Sequence, residues 1–316
     1  MKKLLGLVLV LTLTSFSYGQ VEKNPLSDHL QDVSVTIKAA GSEGSGVIIT
    51  RKIKNGDKEE NVNFIWTAGH VIDSLRSTRE IIVDGSKKQI VEFRDPQIVK
   101  EETQNGRKIG EYKMDCKVLK YSHAENGEDL ALLMVRKIGF SESNTRFYLD
   151  DNMIVPIGTQ LYHVGSLLGQ GGANSMTTGI MSQVGRVLQL GSGDGVIFDQ
   201  TTVTAFPGSS GGGVFLATGK NSGLYIGMLV RGAGETFNLV VPIRRMNSWA
   251  KKVDIEWALN EKLNPPSMED ILKMQIEGVS TKQNQEKVKT PDVMKYPTLI
   301  ELNKIKNESR RNQENN

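Results

Sequence analysis

The chain has 316 residues, 38 % hydrophobic and 24 % charged, a composition that fits an ordinary globular protein and excludes an extended polar one. Its formal charge is +3, and removing Lys2 and Lys3 with a leader brings it to +1 (3 − 2), which gives no support to a basic footprint for nucleic acid. The single cysteine, Cys116, excludes an internal disulfide, so stability has to come from a hydrophobic core.

The N-terminus reads as a secretory signal peptide. Lys2-Lys3 form the basic region, Leu4 to Leu13 the apolar run, and Ser17 and Gly19 the small-residue exit. Cleavage is expected after Gly19, with residues 20–32 as a lead and a periplasmic or extracellular destination. The apolar run is too short to span a bilayer, so no stable membrane insertion is expected once the leader is removed. No Cys follows the run to carry a lipid.

From Val33 to Val241 the hydrophobic period is two. Strands are predicted at Val33–Ile37, Val47–Thr50, Phe64–Thr67, Ile81–Val83, Val118–Tyr121 and Leu130–Val135. A second set follows at Gln160–Val164, Thr178–Val184, Val196–Phe198, Gly213–Leu216, Tyr225–Val230 and Leu239–Val241. Many short strands without interleaved helices exclude a doubly wound parallel sheet and indicate sandwiches or barrels. Cys116 falls in an alternating stretch and reads as a buried strand residue. The charged stretches Arg51–Asn63 and Arg94–Lys113, carrying Asn55-Gly56 and Asn105-Gly106, read as solvated loops without chemistry.

After Pro242 the period changes. Ile243, Met246, Ala250 and Val253 share one helical face, giving a closing helix over 243–253. The extension 254–278 carries a second predicted helix at Met268–Glu277, capped by Ser267 and ended by Gly278. Residues 279–316 are polar and read as a disordered tail.

The chemistry centres on Phe206-Pro207-Gly208-Ser209-Ser210-Gly211-Gly212-Gly213. Serine needs a neighbouring base, an acid that orients the base, and donors for a developing oxyanion. The glycines permit unusual backbone angles, so the N–H groups of Gly208 and Ser210 can converge as such donors. Alone, the run is equally a flexible loop or the G-x-S-x-G elbow of an α/β-hydrolase. The four histidines, His29, His70, His123 and His163, all precede Ser210. An elbow enzyme needs its histidine after the serine, so that reading fails on chain order. His70 exits the apolar stretch Phe64–Thr67, and Asp129 stands at the mouth of Leu130–Val135. The order His, Asp, Ser is that of chymotrypsin. His123 with Glu125, Glu128 and Asp129 is an acidic cluster but lacks metal-ligand spacing. No metal and no cofactor is expected.

These segments resemble trypsin-like serine proteases, and most specifically the protease domain of the Htr-type (Deg-type) periplasmic proteases. Thr67-Ala68-Gly69-His70-Val71, Asp129-Leu130-Ala131-Leu132-Leu133 and Pro207-Gly208-Ser209-Ser210-Gly211-Gly212 resemble the family's His, Asp and Ser motifs. Gly44–Ile49, Val164-Gly165-Ser166 with Thr178–Ser182, Ile226–Met228 and Val240–Ile243 resemble its intervening strands. Ser209 and Gly213 depart from the commoner Asn (or Asp) and Pro. The resemblance spans 33–253 and implies an all-β fold of two packed antiparallel six-stranded β-barrels with a C-terminal helix, split as 33–150 and 151–242. It implies an endopeptidase with His70, Asp129 and Ser210 catalytic and Gly208 and Ser210 as the oxyanion hole. Its substrate would be a protein or peptide, not nucleic acid. By the same resemblance Thr204 and Ala205 line a primary pocket whose wall is Leu229, Val230 and Arg231. No acid stands at the pocket floor, so a small or medium apolar side chain is expected there, not Arg or Lys. The segment after Val253 is too short for a PDZ domain, so PDZ-regulated behaviour is not carried over. The alternative is a protease-fold binding module with a latent site, held shut by the Gly-rich loops at 166–177 and 191–195. Oligomeric state is not readable from the sequence.

Overall fold

The computed structural model describes residues 24–276, apart from 84, 85, 105, 106, 151, 190–194, 233 and 235. The leader, the tail and most of the 191–195 loop therefore lie outside the described residues.

The chain enters through a helix within the 20–32 lead, α1 (Pro25–Asp32), which hydrophobic periodicity does not predict. Asn24 caps it by accepting from the N–H groups of Leu26 and Ser27, and Pro25 opens it. Only Leu30 of its residues is buried, so the apolar face is too sparse to show as a period in eight residues.

Strands β1 (Ser34–Ala39), β2 (Ser42–Asn55) and β3 (Lys58–Thr67) lead to a single-turn helix α2 (Gly69–Ile72). A hairpin of β4 (Arg76–Val83) and β5 (Ser86–Phe93) stands apart as its own two-stranded sheet. With β6 (Gln97–Gln104), β7 (Arg107–Ser122) and β8 (Leu130–Val135), the first closed barrel runs β1-β2-β3-β8-β7-β6. The second barrel takes β9 (Gln160–Gly165), β10 (Ser175–Gln189), β11 (Gly195–Thr201), β12 (Gly213–Leu216), β13 (Tyr225–Gly232) and β14 (Asn238–Pro242). It closes as β10-β11-β14-β13-β12-β9, and adjacent barrel strands are antiparallel. The two six-stranded barrels are those the resemblance implied.

Two expectations are corrected. Neither 51–63 nor 94–113 is a loop: β2 and β3 pair in register from Gly46↔Thr67 out to Asn55↔Lys58, and β6 pairs β7 from Gln97↔Asp115 to Gln104↔Arg107. The hairpins outrun the barrel, so both faces of their tips are wet and the apolar alternation disappears. The Asn55-Gly56 turn was legible because Gly56 takes φ +61°. Arg51 is not solvated either; it is buried, and its guanidinium donates to the carbonyls of Trp257 and Ala258.

The core alternates between two destinations along β12 and β13. Val214, Leu216 and Ile226 fill the second barrel, while Phe215, Tyr225 and Met228 join the cluster shared with the first. Tyr225 is gripped edge-on by Phe147 at 5.1 Å and Phe215 at 5.6 Å, pairs worth about 0.5–1.5 kcal/mol each beyond their burial. Helix α3 (Ile243–Lys252) matches its prediction and returns the chain to the first barrel. Trp249 packs edge-on against Trp66, and Trp257 against Phe64. Helix α4 (Met268–Leu272) is shorter than predicted, although Ser267 caps it by accepting from the Asp270 N–H. The chain turns at Lys273 because only Met268 and Ile271 are buried to hold it.

Candidate active site

Strand β3 delivers His70. Thr67, Ala68, Val71 and Ile72 are buried around it, and the His70 side chain keeps 35 % of its surface exposed. Gly69 has no room for a side chain: a Cβ would lie 2.4 Å from the Ser122 carbonyl and 3.4 Å from Asp129 Oδ1. That close approach lets Asp129 reach beneath the imidazole.

Asp129 precedes β8 with φ +56° and a side chain only 1 % exposed. Its Oδ1 accepts from the His70 backbone N–H at 3.0 Å, and both carboxylate oxygens lie 3.0 Å from His70 Nδ1. A carboxylate only accepts, so in the neutral ring Nδ1 carries the proton and Nε2 keeps its lone pair. The left-handed backbone at a non-glycine residue costs energy that neighbours must offset. Arg245 of α3 fixes the preceding residue, donating to Glu128 Oε2 at 2.5 Å and the Glu128 carbonyl at 2.8 Å, and also reaches the Ile197 carbonyl at 3.1 Å. Its guanidinium also lies over the Phe198 ring.

Ser210 stands between two tight turns. Ser209 N–H donates to the Phe206 carbonyl across Pro207-Gly208, and Gly212 N–H donates to the Ser209 carbonyl across Ser210-Gly211. Gly208 and Gly211 take φ +93° and +88°, angles that other residues rarely adopt. A Cβ on Gly208 would lie 2.2 Å from the Ser166 carbonyl. The Pro207 carbonyl accepts from Leu168 N–H at 2.7 Å. In a trans peptide the N–H points opposite the carbonyl, so Gly208 N–H is turned away from Leu168. The Ser209 carbonyl's bond to Gly212 orients Ser210 N–H in the same way. Among the described residues neither N–H donates to the protein.

The loop is locked across the barrels by β2. Ser45 N–H donates to the Ser210 carbonyl at 2.7 Å, Ser45 Oγ donates to the Gly208 carbonyl at 2.7 Å, and the same Oγ accepts from Ser166 N–H. A Cβ on Gly211 would strike Ser45 O and Thr67 Oγ1, so the Ser210 segment lies directly against β2 and the end of β3, three residues before His70. Ser210 Oγ itself donates to the Val230 carbonyl at 3.3 Å, and among the described residues no hydrogen bond joins it to His70. His163 is buried below the loop with Nδ1 3.0 Å from the Gly213 carbonyl and Nε2 unpartnered; burial lowers its pKa to about 4.

The pocket expectation divides. Thr204 and Ala205 are half-buried beside the loop. Leu229 is not a wall residue: its side chain sits in the core of the second barrel, in register with Val240 of β14. Val230 is buried too and meets the loop through its carbonyl. Arg231 Nη2 lies 4.0 Å from Asp129 Oδ2, with the side chain 23 % exposed. The contacts of Ser45, Arg231 and Arg245 join residues far apart in the chain, and no local pattern predicts their partners. The available signal for Ser45 is its place between Gly44 and Gly46, since glycines in a strand mark close backbone approach. His123 Nδ1, instead of facing a ligand cluster, accepts from the Glu125 N–H.

Comparison with known proteins agrees with this architecture. The family model for the trypsin-like peptidase domain matches residues 44–224, more than half of the chain. Among curated proteins no sequence matches. An inactive serine-to-alanine mutant of Rv3671c from M. tuberculosis H37Rv shares the fold with TM-score 0.50 and 14 % identity, covering 73 % of this chain and 91 % of that one. Deg5 aligns with TM-score 0.49 and 19 % identity over 74 % of this chain and 94 % of that chain. The chain belongs to the trypsin-like peptidase family.

Proposed function

We propose that this trypsin-like peptidase is an exported serine endopeptidase in which Ser210 attacks the peptide carbonyl, His70 accepts its proton and Asp129 orients the imidazole. The observation that carries the reading is the doubly held pair: Asp129 binds both the ring and the backbone N–H of His70, which leaves Nε2 as base. The proton then passes from His70 to the leaving amine, and water repeats the sequence on the acyl-enzyme. Gly208 and Ser210 N–H groups, both without a protein acceptor among the described residues, would receive the oxyanion. One such donor contributes about 3–4 kcal/mol to the transition state. Thr204 and Ala205 would border a pocket for a small or medium apolar side chain. Export rests on the leader sequence; among the described residues no helix is long and apolar enough to cross a membrane.

The second reading, a latent site, is favoured by one observation: Ser210 Oγ is engaged by Val230 and not by His70. Such bonds commonly tighten only when substrate binds. Fluorophosphonate labelling separates the two readings. Ser210 is expected to react, and Ser210→Ala to lose labelling together with on the order of 10⁶ in kcat on casein. Casein cleavage by Ser210→Ala at the wild-type rate would remove Ser210 from the mechanism. A wild-type protein that resists labelling would favour the latent module.

A further inference from the structure

Strand β13 has one edge open beside Ser210. Its pairing with β12 ends at Gly213↔Met228, followed only by the bonds of Leu229 to Gly211 and Gly212. Val230–Gly232 continues against β14 on the other side, while among the described residues no strand covers the near edge. An open edge takes an extended peptide by adding it as a strand. The Val230 carbonyl, which Ser210 Oγ occupies here, is the first acceptor along that edge. The peptide's scissile carbonyl would lie at Ser210 and its preceding residues would run along 230–232.

Arg231 projects from this edge with donors to spare. Among the described residues its Nε is buried without a hydrogen-bond partner; the nearest carboxylate is Asp129, at 4.0 Å, and the Arg245 guanidinium is a second charge in range. That distance exceeds a hydrogen bond, so towards Asp129 the guanidinium acts as a point charge, a duty a lysine would serve equally. Arg245, by contrast, spends its fork on Glu128 and the Ile197 carbonyl. A planar fork of donors left empty at a peptide-binding edge matches a carboxylate. We infer that Arg231 is a specificity residue that selects substrates with a glutamate or aspartate side chain at the residue immediately before the one whose carbonyl is attacked. This rests on the proposed peptidase reading. Side chains of an added strand alternate, so the residue at the cut faces the pocket and the one before it faces the Arg231 and His70 side.

The test uses quenched fluorescent peptides identical except for Glu, Gln or Lys at that position, assayed with the mature protein. The kcat/KM ratio of Glu to Gln is expected to be about 10–100, the worth of a charge-assisted hydrogen bond. Arg231→Gln should bring the ratio near 1, and Arg231→Glu should make Lys the preferred residue. A wild-type ratio below about 3, or one that survives Arg231→Gln, overturns the assignment. An equal loss on all three peptides in Arg231→Gln also overturns it, leaving Arg231 as a counter-ion of Asp129. If fluorophosphonate fails to label Ser210, the peptidase reading fails separately. Calorimetric binding of the same peptides to Ser210→Ala then decides the subsite: tighter binding of the Glu peptide supports it and equal affinities refute it.

Discussion

Replacing Ser45 by alanine separates the frame of the loop from its chemistry. The Ser45 hydroxyl is buried and bridges two groups, accepting from Ser166 N–H at 2.8 Å and donating to the Gly208 carbonyl at 2.7 Å. Alanine leaves both without a partner, and each buried unsatisfied group costs about 1–3 kcal/mol. Partial relaxation brings the expected loss to about 2–4 kcal/mol, a large share of the total stability of a domain. The Gly208 carbonyl belongs to the peptide between the two candidate oxyanion donors, Gly208 N–H and Ser210 N–H. Freeing that peptide uncouples them, and loss of one donor corresponds to about 10²–10³ in kcat. Urea denaturation would read the stability change, while steady-state cleavage and the fluorophosphonate labelling rate read the chemistry. The expected pattern is a kcat about 10² lower with KM little changed. A variant destabilised as expected, yet within about threefold of the wild-type kcat, would refute the claim that Ser45 aligns the donors.

Arg245→Ala removes the fork that holds Glu128 next to the strained Asp129. It is expected to lower stability by about 2 kcal/mol, a modest value because Glu128 is 37 % exposed and can turn to solvent, and to reduce kcat about tenfold. Arg245→Lys keeps the charge but not the fork and should fall between, as read by denaturation and turnover. The buried His163 makes stability depend on pH. Its folded pKa of about 4 lies below the unfolded imidazole's, so the unfolded chain binds more protons between about pH 6.5 and 4. Its contribution is complete above about pH 6.5 and is lost as the pH falls through 4, about 3 kcal/mol in all. His163→Gln should flatten that part of the denaturation profile, and a profile identical to wild type would refute it.

Much of this architecture is local chemistry and so was legible in the sequence. Period-two hydrophobicity located most barrel strands, and the switch to helical period after Pro242 located α3. Glycine runs marked the turns at Gly208 and Gly211, where only a missing Cβ fits against Ser166 and Ser45. The positions of the four histidines before Ser210 were enough to exclude the elbow arrangement, because chain order is itself a topological property. The two charged hairpins were misread because wet strands lose their alternation, and α1 because a single buried leucine leaves no period.

Only the tertiary structure decided what surrounds those residues. Ser45 meets Gly208 across 163 positions of chain and Arg245 meets Glu128 across 117, and no window of sequence couples such pairs. Pairing with Val240 sends the Leu229 side chain into the core of the second barrel, and Arg231, beyond the bulge, lies 4.0 Å from Asp129, consequences of register that composition does not carry. The amino-acid sequence by itself determined which candidate groups are present and in what order they come. Packing two barrels against each other determined, among the described residues, which backbone donors are free, which carboxylate is buried under His70, and that the Arg231 Nε is left without a partner.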